Sequence, residues 1–243
     1  MKISIGPIQK LSKIKNSVYD AIKVEYLYHS NKLEGSTFSK ENLIDLLEQK
    51  QVIGEHFVDD VIETKNSLEL FDNVINTLKE PFDKYLLWEW HRLLKKGTVD
   101  DEIDNIGKWK KYENRLSKTD LKLCEPHLVE NSMFNLFADW NESKKDIYAI
   151  ANFHQKFEHI HPFQDGNGRI GRFIILRQCI ENSVDLIAID DEYNKEYRSA
   201  LYEAQTTGNI EALVEVFKKC QLRLDEKLLS YTSIIKQVSE EVN

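Results

Sequence analysis

Twelve consecutive residues gather the groups needed to handle a polyphosphate: His161-Pro162-Phe163-Gln164-Asp165-Gly166-Asn167-Gly168-Arg169-Ile170-Gly171-Arg172. Gly166 and Gly168 leave backbone N–H groups uncovered where a helix should begin. The partial positive charge of a helix start suits an anion. Asn167 adds side-chain donors. Arg169 and Arg172, three residues apart, share one side of the first turn, and guanidinium forks suit phosphate oxygens. Asp165 at the lip cannot help an anion directly, but its carboxylate makes sense as a ligand of Mg²⁺ (or Mn²⁺) that bridges phosphate oxygens. His161 titrates near neutrality and could accept the proton of an attacking hydroxyl while the cradle stabilises charge building on phosphorus. Each part alone has an ordinary reading as a turn, a structural His-Pro or surface ion-pair arginines. All of them in this order are hard to dismiss.

The elements that must position this segment read as helices. The spacing of Ile14, Val18, Ile22, Val24 and Leu27 predicts a first helix over residues 12 to 33, closed by a turn at Glu34-Gly35-Ser36. Ser39 reads as the cap of a short helix carrying Leu43, Leu46 and Leu47. A longer amphipathic segment follows from about Glu55 to Leu78, and Pro81 opens another with Leu86, Leu87, Trp90 and Leu93. Residues 98 to 125 differ, and Tyr112 to Cys124 reads as a small hairpin turning near Lys118-Thr119-Asp120, or as a connecting loop. Helices are then expected from Pro126 through Trp140, over Asp146 to His159, over 168 to 182, and over 192 to 206 and 209 to 235. Of these, 168 to 182 is rich in Ile, Leu and Phe and reads as buried.

Composition agrees with one helical body. The 243 residues include only 4 prolines and 9 glycines, with 41% hydrophobic and 30% charged residues. A net charge of -8 argues against binding driven by nucleic-acid phosphates, and lysines such as Lys108, Lys110 and Lys111 read as solvated helix faces. Cys124, Cys179 and Cys220 form no C-x-x-C pair and imply no disulfide framework. The opening MKISIGPIQKLSKIK lacks a signal-peptide core, and no apolar run approaches a membrane span. The expectation is a cytoplasmic protein with no membrane partner.

The segment closely resembles the Fic family pattern H-P-F-x-[D/E]-G-N-G-R-x-x-R and meets every fixed position. The lead-in Ala151-Asn152-Phe153-His154-Gln155-Lys156-Phe157-Glu158-His159-Ile160 is also similar to that of the family, and the resemblance covers roughly residues 85 to 220. It implies an all-α Fic fold, a compact helical bundle with one small β-hairpin flap before the active-site loop. The division it implies is an N-terminal helical region over 1–84, a Fic core over 85–223 and a helical tail over 224–243. The activity it implies is transfer of AMP from ATP to a Tyr, Thr or Ser hydroxyl of a protein target. His161 would be the base and Asp165 the metal ligand. Phe163, Gly166, Asn167, Gly168 and Arg169 would line the nucleotide site, with Arg172 at the γ-phosphate. The target would align on the flap at Tyr112 to Cys124, and Tyr193, Asn194 and Tyr197 fall where the family builds its adenine pocket, although core packing suits those three equally well.

Ser30-Asn31-Lys32-Leu33-Glu34-Gly35 matches the inhibitory pattern [S/T]-x-x-x-E-[G/N] of many Fic proteins, in the subclass whose inhibitory helix (here about 13–35) is N-terminal. Alone it could be a helix end with Gly35 as cap. In the family context, Ser30 and Glu34 would engage Arg172 and turn the α-phosphate away from in-line attack. Three alternatives stay open: a dual AMPylase and deAMPylase, transfer of another nucleotide or phosphate group, and a non-catalytic nucleotide-binding module. About twenty residues follow Leu224, too few for the winged helix that some Fic proteins carry. Abundant tyrosines make the chain a candidate target of its own activity. Relatives commonly form homodimers, but no interface signature stands out here.

Overall fold

The apolar stripes do fold as helices, and a computed structural model describes residues 1–115 and 120–242. In chain order they are α1 (Ile5–Leu11), α2 (Val18–Leu33), α3 (Lys40–Glu48), α4 (Val58–Asn76), α5 (Lys84–Lys95), α6 (Val99–Glu102), α7 (Val129–Glu142), α8 (Ile147–Ile160), α9 (Asn167–Glu181), α10 (Asn194–Thr207), α11 (Glu211–Lys227) and α12 (Thr232–Val242). No strand occurs among the described residues. The expected first helix over 12 to 33 begins only at Val18, where the Ser17 hydroxyl accepts the backbone N–H of Tyr19 at 3.2 Å, and α1 is a separate helix before it that the spacing did not predict. The expected last helix breaks at a 3₁₀ turn over Leu229–Tyr231.

The anticipated hairpin is corrected. Its turn at Lys118 and Thr119 lies outside the described residues, and the flanks from Tyr112 and towards Cys124 form no ladder. Groups in and just before them bond instead to the end of α8 and the segment that follows it. Lys110 N–H donates to Pro162 O at 2.7 Å, Asn114 Nδ2 to Phe163 O at 3.0 Å, and Cys124 N–H to His159 O at 3.2 Å.

The core is continuous and α9 runs through its centre, packed on α2, α4, α5 and α8. Nearly every residue of α9 is buried, so its sequence shows no polar stripe. At Gly171 a side chain would strike the carboxyl of Glu158 and the rings of His154 and Phe157, so glycine sets the close approach of α8 and α9.

Helix α2 is fastened at both ends. Near its start, Lys23 Nζ lies 2.8 Å from Asp72 of α4, and the Tyr19 hydroxyl donates to the same carboxylate at 2.5 Å. Near its end, His29 Nδ1 lies 2.5 Å from Asp191, while Lys227 Nζ sits 2.7 Å from His29 Nε2 and 2.8 Å from Asp190. His29, Asp190 and Asp191 have the spacing of metal ligands, but the Lys227 ammonium already supplies a cation there.

Removing packed ring volume between α8 and α9 should be expensive. Phe157→Ala, at a fully buried position, is expected to cost about 3–5 kcal/mol in urea unfolding. Phe134→Ala, at a mostly exposed one, should stay within about 0.5 kcal/mol.

Candidate active site

The C-terminus of α8 and the N-terminus of α9 are joined by the five-residue segment His161 to Asp165 and the glycine that follows it. His161 caps α8 in the left-handed conformation (φ 49°), and its N–H still closes on Phe157 O at 2.8 Å. Gly166 is also left-handed (φ 76°), with Leu94 and His91 close behind it. These two positions turn the chain from α8 into α9.

Asn167 is buried, and its carboxamide is committed on both sides to one residue. Oδ1 accepts from Phe163 N–H and Nδ2 donates to Phe163 O, each at 2.8 Å. It therefore closes the loop from inside. Phe163 is fully buried, stacked on His91 with ring centroids 4.1 Å apart. The first turn of α9 has no side-chain cap, so its leading N–H groups are open to an anion.

Arg172 is almost fully buried and held by α2. Nε donates to Ser30 Oγ at 2.9 Å, and Nη2 donates to Ser30 O at 3.0 Å and to Glu34 Oε1 at 2.5 Å. Glu34 is partly desolvated, which opposes ionisation, but Arg172 and Arg169 outweigh this and hold its carboxyl below the usual range. The carboxylate lies where a side chain at Gly168 would stand. A cavity of about 100 Å³ lined by Asn31, Glu34, Asp60, Glu63 and Arg169 opens alongside. This is smaller than the roughly 300–1,000 Å³ of a typical ligand pocket.

Asp165 keeps more than half its side chain in solvent. Its Oδ2 accepts from Lys95 Nζ at 2.5 Å and lies 3.7 Å from Arg169. Desolvation is outweighed by these cations, and its pKa falls to about 2. Lys95 also meets Glu63 at 2.5 Å and Asp100 at 2.6 Å, and Glu63 reaches Arg169 at 2.5 Å. Burial disfavours the Lys95 ammonium, but these carboxylates overcome it and raise its pKa. Asp165 fits a divalent cation on its donor chemistry: an ionised, accessible carboxylate with no acidic cage around it among the described residues. That is the sparse protein contribution Mg²⁺ takes when phosphates and water complete its shell.

His161 is neutral. Burial pushes its pKa down to about 4, and the buried Lys110 cation adds to the effect. Nδ1 lies 3.2 Å from Glu158 O, so the ring N–H is assigned there and Nε2 carries the free lone pair.

Tyr193 precedes α10, and Asn194 and Tyr197 lie in its first turns. Tyr197 is buried with its hydroxyl 2.8 Å from His154 Nε2, and Asn194 Oδ1 accepts from Arg198 at 2.8 Å. Sequence reasoning missed His91, Lys95, Glu63, Asn114 and Glu158. It also placed Lys110 on a solvated face, whereas Lys110 is buried and donates to Asn114 Oδ1 at 2.9 Å and Ile160 O at 3.2 Å. For His91 and Lys95 a signal existed: polar residues on the apolar stripe of α5, beside Trp90 and Leu94.

A helix start with no side-chain cap, a neutral histidine and an ionised aspartate thus meet at the junction of α8 and α9. Residues 81–179 match the Fic/DOC family. It is 36% identical over 83 residues to a probable protein adenylyltransferase of Aquifex aeolicus, covering 33% of this chain and 25% of that protein. It is 25% identical over 215 residues to the protein adenylyltransferase Fic of Nematostella vectensis, covering 86% of this chain and 49% of that one. The chain thus spans between a quarter and about half of these curated relatives. Among solved structures, a Fic domain containing signaling protein from Bacteroides thetaiotaomicron superposes with a TM-score of 0.74 at 20% identity, covering 98% of both chains. Fic-1 from C. elegans gives 0.71 at 20% identity, covering 93% of this chain and 67% of that one. No helix among the described residues is long and apolar enough to cross a membrane.

Three histidines here are held neutral by burial, with pKa values lowered to about 4 for His91, about 3 for His154 and about 4 for His161. The unfolded chain binds their protons first, near pH 6.5, so stability should decline as pH falls from about 6.5 towards 4. Glu158 and Glu181, with their pKa values raised by burial, act in the opposite sense but are two groups against three. The urea midpoint should drop over that window, and His154→Gln, which lacks a titrating ring, should show a shallower drop.

Proposed function

We propose that this chain is a protein adenylyltransferase whose resting form is held closed by Glu34. The observation that carries the reading is the seat of Arg172. It is a buried guanidinium beside an uncapped helix start and a neutral histidine, with Ser30 and Glu34 occupying the fork that a terminal phosphate would need. The Fic/DOC match over the same residues and the adenylyltransferase relatives support the choice of chemistry.

In the proposed reaction His161 Nε2 takes the proton of a Tyr, Thr or Ser hydroxyl. The hydroxyl oxygen bonds to the α-phosphorus of ATP, and the bond to the bridging oxygen breaks so that pyrophosphate leaves. The open N–H groups of α9 stabilise the charge that develops on the phosphoryl oxygens. Asn167 holds Phe163 and hence the loop, while Arg169 and Arg172 face the outer phosphates once Glu34 withdraws. A divalent cation on Asp165, with Lys95 engaging the other side of that carboxylate, would offset phosphate charge. Displacement of a phosphate by about 1 Å is enough to cost a hundredfold in rate, which is how one carboxylate can silence the site. The division at residues 84 and 223, target alignment along Tyr112 to Cys124, the adenine pocket near Tyr193 and self-modification all belong to this proposal.

Incubation of wild type, Glu34→Gly and Glu34→Gly/His161→Ala with ATP and Mg²⁺, read by intact mass and by labelled ATP in a cell lysate, tests it. Glu34→Gly should gain AMP-sized adducts or label at least tenfold over wild type, and the double variant should lose them. An adduct of phosphate size, or label surviving His161→Ala, would overturn the chemistry. Equal labelling by wild type and Glu34→Gly would overturn the brake.

A further inference from the structure

Glu158 is a buried carboxyl that the reaction above does not use. It sits on α8, three residues before His161, with its side chain 9% exposed. Its Oε1 has no hydrogen-bond partner, and no hydrogen bond joins it to neighbouring Arg172, whose bonds go to Ser30 and Glu34. Its Oε2 lies 4.0 Å from Nδ1 of His161, the nitrogen opposite the one that must act as base. A purely structural side chain at this place would be better apolar, because an unsatisfied buried carboxyl is costly.

The need for such a group follows from the charge balance of the site. When His161 accepts a proton it becomes a cation in a desolvated position, with the Lys110 cation nearby. Three carboxylates could answer it. Asp165 is engaged by Lys95 and Arg169. Glu34 is engaged by Arg172 and, in the proposed active form, leaves. Glu158 is free of both commitments and is placed on the correct side of the ring.

We propose that Glu158 is the positioning partner of His161: its backbone carbonyl takes Nδ1–H at 3.2 Å and its carboxylate, 4.0 Å from the same nitrogen, favours the ring with Nε2 toward the target hydroxyl and stabilises the imidazolium formed there. The proton from the hydroxyl stays on His161 Nε2, and Glu158 gains none in the step. The kinetic consequence rests on the adenylyltransferase reading; the electrostatic coupling of the two side chains does not.

Burial pushes Glu158 up to about 7, against the pull of Arg172 and with Glu34 adding to the rise. The charged and titratable groups facing it are Arg172 from α9, Glu34 from α2, Tyr197 and Arg198 from α10, and His154 and His161 from its own helix. The partner is therefore only partly ionised at neutral pH. In the Glu34→Gly background turnover should rise with pH between about 5 and 8 as Glu158 ionises.

Two measurements decide it, both using Glu158→Gln, which has the shape of the protonated side chain. The first is the pH profile of AMP transfer in the Glu34→Gly background. Glu158→Gln should lower kcat at least tenfold, leave KM for ATP within about threefold and abolish the inflection between pH 5 and 8. An unchanged rate, or a lowered rate with the inflection retained, would overturn the proposal. The second is the imidazole NMR titration of His161, assigned by its loss in His161→Ala. The Glu158 ionisation should appear as a second inflection in the otherwise wild-type chain and vanish in Glu158→Gln, whether or not the protein transfers AMP. Identical His161 titrations in the two proteins would refute the coupling even if the transferase activity stood.

Discussion

A guanidinium buried in the middle of a helical protein cannot be left without partners: an uncompensated buried charge is worth several kcal/mol of instability. Arg172 is such a group, nearly sealed from water. The fold answers it from another part of the chain, through the carbonyl and hydroxyl of Ser30 and the carboxylate of Glu34. Much of the N-terminal architecture makes sense as a consequence. Helix α2 must end at a set height and rotation against α9. It is fixed there by Asp72 at one end, by the Asp190, Asp191 and Lys227 group near the other, and by Arg198, which donates to Leu33 O at 2.9 Å.

The second organising fact is the contrast between the two sides of the loop. On the His161 side, burial dominates and keeps imidazole rings uncharged. On the Asp165 side, alternating charges run through Lys95, Glu63 and Arg169, and they favour the charged forms of Lys95, Arg169 and Asp165. A base needs an available lone pair and a metal ligand needs a full negative charge. Under the proposed function the same loop would supply both, because one end leans on α8 and the other on α4 and α5. His91 joins the two sides: it stacks on Phe163, donates to Asp165 O from Nε2 at 3.0 Å and accepts the Gly107 N–H on Nδ1 at 2.9 Å. That bonding pattern requires a neutral ring.

The helical architecture was legible because apolar spacing survives in the sequence wherever a helix has a wet face. It failed where that condition fails. Ser17 starts a helix by a local cap that periodicity does not register, and the segment near Tyr112 looked like a hairpin because its turn chemistry is strong. In the structure Asn114 and Cys124 instead bond to Phe163 O and His159 O. The seat of Arg172 was readable as a short pattern, because both partners must come from one helical turn and its end. Glu63, Lys95 and Asn114 were not, since their roles come from tertiary contacts made by residues 106, 70 and 49 positions away from the groups they hold. Glu158 was quoted within the lead-in helix, yet nothing in its spacing marked it off from a solvated glutamate.

Gly168 offers a last consequence, about how such a protein can change over time. Its missing side chain makes room for the Glu34 carboxylate, and under the proposed function the same space opens on the bound nucleotide. Resting and working forms therefore compete for one volume, and a substitution that spoils one spoils the other. Variation that tunes the balance must arise elsewhere, at the distant moorings of α2 such as Asp72 or Lys227. There a lineage can loosen or tighten the lock by small steps while the chemistry remains untouched.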